Sequence, residues 1–447
     1  MTATIDTLRD GFKGTVLEPG ADGYEQARHV WNGNIDRHPA AIARCTGVAD
    51  VIEAVKFARA SGLEVAVRGG AHNAAGHATV EGGLVIDLSG MKGIRVDPQA
   101  RRANAQPGLT WAEFDRETQV FGLATTGGTV SNTGIAGLTL GGGVGWLMGK
   151  HGLSCDNLVS ADVVLADGRF VHANANENQD LYWALRGGSG NFGIVTSFEF
   201  QLHPVGPMVL GGLALYPLEQ AGEVLRFFRH LHEDLPDEAD VYAAMLSGLD
   251  GSKLAALILG YNGDLAEGER VLKSCRYGTP IMDTVAPMPY IARQSLLDEG
   301  LAQPGVERYW KSGYASQLSD ALIDIFVEAA QNFPTPGSVI AFFRSHGAAI
   351  RVAPDATAFA ARGQDFDSNA ISQWTDPADA ERCISWTRHL WEKVDPHTTG
   401  AYVNHLAGDD RPEKVRASYG PNYARLAQIK AKYDPANFFH LNPNIKP

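Results

Sequence analysis

The stretch of this chain best suited to chemistry is Arg68 to His77, RGGAHNAAGH. A strand-like run, Glu64 to Arg68, leads into it, and its glycines let the backbone approach a ligand closely. Successive free N–H groups in such a turn form an anion-binding concavity that suits a pyrophosphate. The same letters also suit an ordinary glycine-rich loop. The stretch is not a P-loop, because G-x-x-x-x-G-K-[ST] is absent. His72 and His77 could pair on a metal ion, but no carboxylate lies near them in sequence, so no metal site is expected.

A second stretch, residues 125–157, reads TTGGTVSNTGIAGLTLGGGVGWLMGKHGLSCDN. Gly127, Gly128, Gly134, Gly137, Gly141, Gly142, Gly143 and Gly145 allow backbone to lie flat against a planar ring. Thr129, Ser131, Asn132 and Thr133 add hydroxyl and amide groups. A surface loop is the plain alternative, yet a loop of this length without function is uncommon. The letters Gly188-x-Gly190-x-x-Gly193 spell a dinucleotide fingerprint in the wrong context. They follow a helix-like run and precede a strand, whereas a Rossmann site needs strand, turn, then helix. They are read as a tight turn.

The elements that must position these stretches follow from periodicity. Ala49 to Ala60 and Thr110 to Phe121 are predicted helices. Gly83 to Leu88, Ile94 to Ala105 (with a turn at Asp97-Pro98), Leu158 to Leu165 and Ile194 to Leu202 are predicted strands. Asp167-Gly168 reads as a hairpin turn into Arg169 to Ala173, and Asp180 to Arg186 as a short helix. His203-Pro204-Val205-Gly206-Pro207 breaks the pattern and is taken as a domain boundary. Beyond it, MVLGGLALY, AALILGY, SVIAFFRS and Phe366 to Trp374 read as strands. Leu218 to His232, Ser319 to Ala330, Asp379 to Val394 and Glu413 to Tyr433 read as helices. The expected division is 1–205, 206–400 and 401–447, with the middle part an α+β domain carrying helices over one face of a sheet.

Composition narrows the function. The chain has 447 residues, enough for two or three cores. A formal net charge of −13 argues against nucleic acid and against an anionic membrane surface. Its four cysteines, Cys45, Cys155, Cys275 and Cys383, are far apart, so neither a disulfide framework nor a zinc site is expected. The first residues lack an apolar core for a signal peptide, and no run approaches about 18 apolar residues. A cytoplasmic protein, monomer or homodimer, is expected.

Together, V-R-G-G-A-H-N-A-A-G, T-G-I-A-G-L-T-L-G-G-G-V-G, H-G-L-S-C-D-N, R-G-G-S-G-N-F-G-I-V-T and the terminal Y-x-N…Y-D-P-x-N-x-F…N-x-N-I resemble the berberine bridge enzyme-like FAD-linked oxidases. That group has the vanillyl-alcohol oxidase and p-cresol methylhydroxylase fold. The resemblance implies an α+β architecture: a two-part FAD-binding domain and an α+β substrate domain with an antiparallel sheet. It covers about 40–205 and 400–447.

The resemblance implies FAD bound covalently through His72. Gly69, Gly70, Ala71, Asn73 and Gly76 match the pyrophosphate loop. Thr129, Ser131, Gly134, Gly137 and Leu138 match the segment running past the ring, followed by Gly142, Gly143 and Gly145. Asp156, Asn157, Gly193 and Val195 match positions near the adenosine half, and Asn442 and Asn444 match the returning tail. Arg68, His77, Gly128 and Tyr402 complete the expected cofactor contacts. Where many relatives carry a second link from cysteine, this chain has Val130, which offers no nucleophile, so a single covalent bond is expected.

The family places a base in its Y-x-N stretch, here Tyr402-Val403-Asn404-His405, which makes His405 the candidate. An imidazole titrates near neutral pH and suits the role. Asn369 and Gln373 are expected to contact the substrate. Trp310, Tyr309, Tyr314, Phe342, Phe343 and Trp374 read as core or as an aromatic cage. Thr133 and Leu138 match positions governing oxygen access. The expected reaction oxidises a small alcohol, amine or phenolic substrate and releases hydrogen peroxide. Alternatives are an oxygenase or dehydrogenase on the same flavin, or a drug-binding protein.

Overall fold

The computed structural model describes residues 5–231, 233–248, 250–363 and 365–447. Its first sheet has four strands in the order Thr15–Leu17, Ala41–Arg44, Leu84–Asp87 and Val65–Arg68. The last three are parallel, and the helix Val48–Ser61 makes the crossover such strands need. Val51, Ala54, Val55 and Ala58 recur at helical spacing and are buried against that sheet. Gly62, at φ +71°, ends the helix in the left-handed conformation a side chain resists.

A second, antiparallel sheet runs Ile94–Asp97, Arg102–Ala105, Ile194–Gln201, Leu158–Val164 and Phe170–Asn174. Beside it the helix Trp111–Gln119 begins at a capping box, with Thr110 and Glu113 satisfying each other's backbone amides. The 125–157 stretch holds only short helices, Ile135–Leu140, Met148–His151 and the 3-10 turn Ser154–Asn157.

The third sheet is large and antiparallel. Its order is Met282–Asp283, Met208–Pro217, Lys253–Tyr261, Ala239–Ser247, Val339–Arg344, Phe366–Trp374 and Glu307–Ala315, with Ala286–Pro289 also pairing to Met208–Pro217. Alternation decides its two faces. Val241, Met245, Leu257, Leu259, Ile340 and Phe342 pack under the helices Ala221–Leu231, Asp320–Ala330 and Ala380–Val394. Tyr242, Ala244, Leu246, Ala256, Ile258, Val339, Ala341 and Phe343 turn the other way, toward the first two sheets.

Two expectations need adjusting. The helix expected over Leu218 to His232 is a 3-10 turn, Leu218–Gln220, followed by Ala221–Leu231, and His232 lies outside the described residues. The helix expected over Glu413 to Tyr433 is two, Pro412–Tyr419 and Tyr423–Tyr433, joined by the 3-10 turn Gly420–Asn422. Gly420, at φ +52°, ends the first helix, and Pro421, which has no N–H to donate, disfavours continuing it. Among the described residues no helix is long and apolar enough to cross a membrane.

Candidate active site

A cavity of about 800 Å³ lies where the three sheets meet, within the range of small-molecule sites. One wall is the 69–73 loop, in which Gly69, Gly70, Ala71, His72 and Asn73 all line the space. Ala71 sits at φ +54°, a left-handed geometry that turns successive amides toward one side. The second wall is Thr129, Val130, Thr133, Gly134, Gly137 and Leu138. These walls meet at Gly70 and Gly134, where a Cβ on Gly70 would stand 2.5 Å from the Gly134 backbone.

The tail supplies the far end. Lys430 and Asp434 form a fully buried pair at 2.7 Å. Lys430 also donates to the carbonyls of Asn191 and Phe439, at 2.7 and 2.9 Å. Asp434 accepts from the amides of Phe438 and Phe439. This folds Phe439, Leu441, Asn442 and Pro443 onto the cavity beside Ser189, Gly190 and Gly193. Asn191 fixes the docking: it donates to the Pro443 carbonyl and accepts from the Ile445 amide. The false dinucleotide fingerprint is thus a turn between the helix Gln179–Leu185 and the strand Ile194–Gln201 that receives the C-terminal tail.

His72 is clamped on several sides. Its Nε2 lies 3.0 Å from Asn132 Oδ1, and Trp31 stacks on its ring at 4.3 Å. Burial pushes its pKa down to about 4, so the imidazole is neutral. Burial does the same to His77, which also lines the cavity. Among the described residues no group of three or more potential metal ligands exists.

The remaining wall joins the large sheet to the C-terminal segment. His405 lies in the short turn Val403–His405 and lines the cavity. Its Nδ1 is 3.1 Å from Asp367 Oδ2, and Asp367 is only 5% exposed. That contact directs Nδ1–H to the carboxylate and leaves Nε2 as the proton acceptor. Trp310 packs on the His405 ring at 4.6 Å and Tyr402 at 4.7 Å. Tyr402 Oη accepts from Gly143 N–H and Asn404 Nδ2, both at 2.8 Å, tying this segment to the glycine-rich wall.

Several expected contacts lie elsewhere. Arg68, Gly76, Gly128, Ser131, Gly142, Gly143, Gly145, Asp156, Asn157, Asn369 and Asn444 are not on the cavity lining. Arg68 donates to the Ala27 carbonyl. Asp156 is gripped by Arg362 through both oxygens, at 2.7 and 2.8 Å. Asn157 Nδ2 donates to the carbonyls of His151 and Leu153. Asn369 Oδ1 accepts from Trp310 Nε1 at 3.0 Å and so orients that ring. Gln373 does line the cavity, yet its amide is engaged by Arg308 Nε and the Gly337 carbonyl. Of the aromatic set, Trp310 and Phe343 reach the cavity. Trp31 and Asp367 are the additions that sequence reading did not assign a role, and Asn132, expected to offer its amide to the ligand, instead turns it to His72 and the Ala302 carbonyl. Each acts through a contact made across the fold.

The residues present fit a flavin dinucleotide. Gly137 and Gly190 line the space, and a Cβ at either would meet nothing within 4 Å. Asn442 Oδ1 is buried there without a partner among the described residues. No Lys or Arg is on the described lining, so a pyrophosphate would be held by backbone amides.

Comparison with known proteins agrees. A family model described as an FAD binding domain matches residues 39–174, and one described as berberine and berberine like matches 401–446. An FAD-linked oxidoreductase of Dictyostelium discoideum is 31% identical, over 100% of this chain and 97% of its own. The (R)-6-hydroxynicotine oxidase of Paenarthrobacter nicotinovorans is 30% identical, over 98% of this chain and 97% of its own. The crystal structure of 6-hydroxy-D-nicotine oxidase from Arthrobacter nicotinovorans superposes with a TM-score of 0.86 at 28% identity, covering 98% of each chain. On this full-length likeness the chain belongs to the berberine bridge enzyme-like FAD-linked oxidoreductases.

Proposed function

We propose that this enzyme is an oxidase that holds FAD through a single covalent bond to His72 and oxidises a small apolar organic molecule, with His405 as its base. The observation carrying this reading is one continuous cavity with the neutral His72 on one wall and the His405–Asp367 pair on another. Gly69, Gly70, Ala71 and Asn73 would hold the pyrophosphate. Thr129, Val130, Thr133, Gly134, Gly137 and Leu138 would flank the ring, and Gly193, Val195 and Asn442 the adenosine half. Val130 supplies no nucleophile, so His72 stands alone as the attachment point. When bound, FAD supplies a hydride acceptor that molecular oxygen reoxidises, with release of hydrogen peroxide.

The chain's own part is acid–base and positional. His405 Nε2 takes the proton from a substrate O–H or N–H, and Asp367 stabilises the imidazolium that results. Trp310, held by Asn369, and Phe343 pack beside His405 and fix the substrate's orientation. The sheet face opposite the helices is apolar, and the acidic residues on the described lining are Asp250 and Glu299. A neutral or cationic substrate suits these walls, whereas an anion would find no cationic side chain. The four free, buried cysteines suit a reducing compartment such as the cytoplasm.

The test is oxygen uptake by the purified yellow protein with apolar alcohols, amines and phenols, each beside a carboxylated analogue. We expect peroxide equal to oxygen consumed, and kcat/KM lower by roughly tenfold or more for each carboxylate. Oxygen retained in the product would make it an oxygenase. Tight binding without turnover would make it a binding protein.

A further inference from the structure

We propose that Asn132 is a positioning residue that prepares His72 for covalent attachment by fixing which ring nitrogen carries the proton. The inference rests on the reading that His72 is the attachment point. It follows from the contacts that run from the Ala302 carbonyl through the Asn132 amide to His72. The Ala302 carbonyl can only accept, and Asn132 Nδ2 lies 2.7 Å from it. The amide therefore has one orientation, with Oδ1 toward His72 at 3.0 Å. A carboxamide oxygen can only accept, so His72 Nε2 must carry the proton. In a neutral imidazole this leaves the lone pair on Nδ1.

The supports of Asn132 come from the substrate side of the molecule. The Ala302 amide donates to the Asp298 carbonyl at 2.8 Å, ending the short helix Asp298–Leu301. Asp298 in turn accepts from Ser131 through both its amide and its hydroxyl, at 2.9 and 2.5 Å. Ser131 and Asn132 are thus pinned together. Trp31, stacked on His72, is held by the Leu301 carbonyl at 2.8 Å. The ring plane and the tautomer of His72 are both set from this one turn.

The bond-forming step balances as follows. One C–H bond of the flavin 8-methyl group is replaced by a bond to Nδ1. The methyl group gives up one proton and two electrons. The electrons leave to molecular oxygen, which takes that proton and one from solvent and departs as hydrogen peroxide. Nε2 keeps its proton and its contact with Asn132 while the bond forms, which leaves an imidazolium; loss of that proton to solvent then restores the neutral ring that burial favours.

The test compares wild-type protein with Asn132→Leu and Asn132→Asp after acid precipitation, reading flavin fluorescence on the denatured polypeptide. Leu has nearly the same shape and no acceptor, whereas Asp keeps an oxygen for Nε2–H. We expect wild type and N132D to retain flavin on the polypeptide. N132L should bind flavin natively but release at least nine-tenths of it into the acid supernatant. Full retention in N132L overturns the proposal. Equal loss in both variants also overturns it, because a structural role would not distinguish them. If N132L fails to bind flavin natively, N132D decides: retention supports the proposal and release overturns it. Release from wild type would instead refute the attachment at His72 itself.

Discussion

Replacing His405 with glutamine should lower kcat by about 10²- to 10⁴-fold while the flavin stays bound. His405 belongs to a turn, Val403–His405, whose backbone is held by Ser312 donating to the His405 carbonyl at 3.1 Å. Glutamine keeps polarity and approximate size but cannot take a proton. The 69–73 loop and the glycine-rich wall do not depend on the imidazole, so the visible spectrum should be unchanged. Asp367→Asn should act in the same direction, from about tenfold up to the loss seen at His405. An amide nitrogen facing Nδ1 would reverse the tautomer and place the proton on Nε2. Stopped-flow reduction of the flavin under anaerobic conditions separates this chemical step from reoxidation. Unchanged reduction rates in both variants would remove His405 from the mechanism.

Replacing Gly134 with valine should reduce flavin content to roughly a tenth or less and destabilise the fold by about 1–3 kcal/mol. A Cβ at this position would stand 2.5 Å from Gly70 N and 2.7 Å from its Cα. Both are backbone atoms that cannot swing aside, and the two loops they belong to form adjoining walls of the cavity. Gly47→Ala is the matched control, because its φ of −172° is extended and its Cβ would meet nothing within 4 Å. The absorbance ratio of flavin to protein and a thermal melt check both effects. Normal loading in Gly134→Val would mean that the loops separate without cost and that their contact does not shape the site.

The site was legible in sequence where it depends on local signals. The strand that ends at Arg68 and the glycines after it place His72 on the cavity, as the turn chemistry implies. The fingerprint at Gly188 to Gly193 was recognised as a turn from its neighbours alone. Asp367 and Asn132 were different. Asp367 meets His405 across 38 residues, and Asn132 meets His72 across 60, so neither pairing leaves a local trace. The strand Ala239–Ser247 escaped periodicity because both its faces are covered, leaving almost no exposed residue to mark an alternation. The strand Glu307–Ala315 carries Tyr309, Trp310 and Tyr314, whose aromatic rings gave no indication of which face they serve. Family resemblance pointed to the stretch Tyr402 to His405, but only the fold reveals the Asp367 carboxylate behind His405.

Whether His72 carries the flavin is decided by acid precipitation. Purified wild-type protein and His72→Ala should be precipitated in acid, and the visible spectra of pellet and supernatant recorded. Yellow colour is expected in the wild-type pellet and, for His72→Ala, a colourless pellet with any flavin in the supernatant. Yellow supernatant from wild type would contradict the linkage while leaving an FAD-linked enzyme, and a yellow His72→Ala pellet would place the bond on another residue.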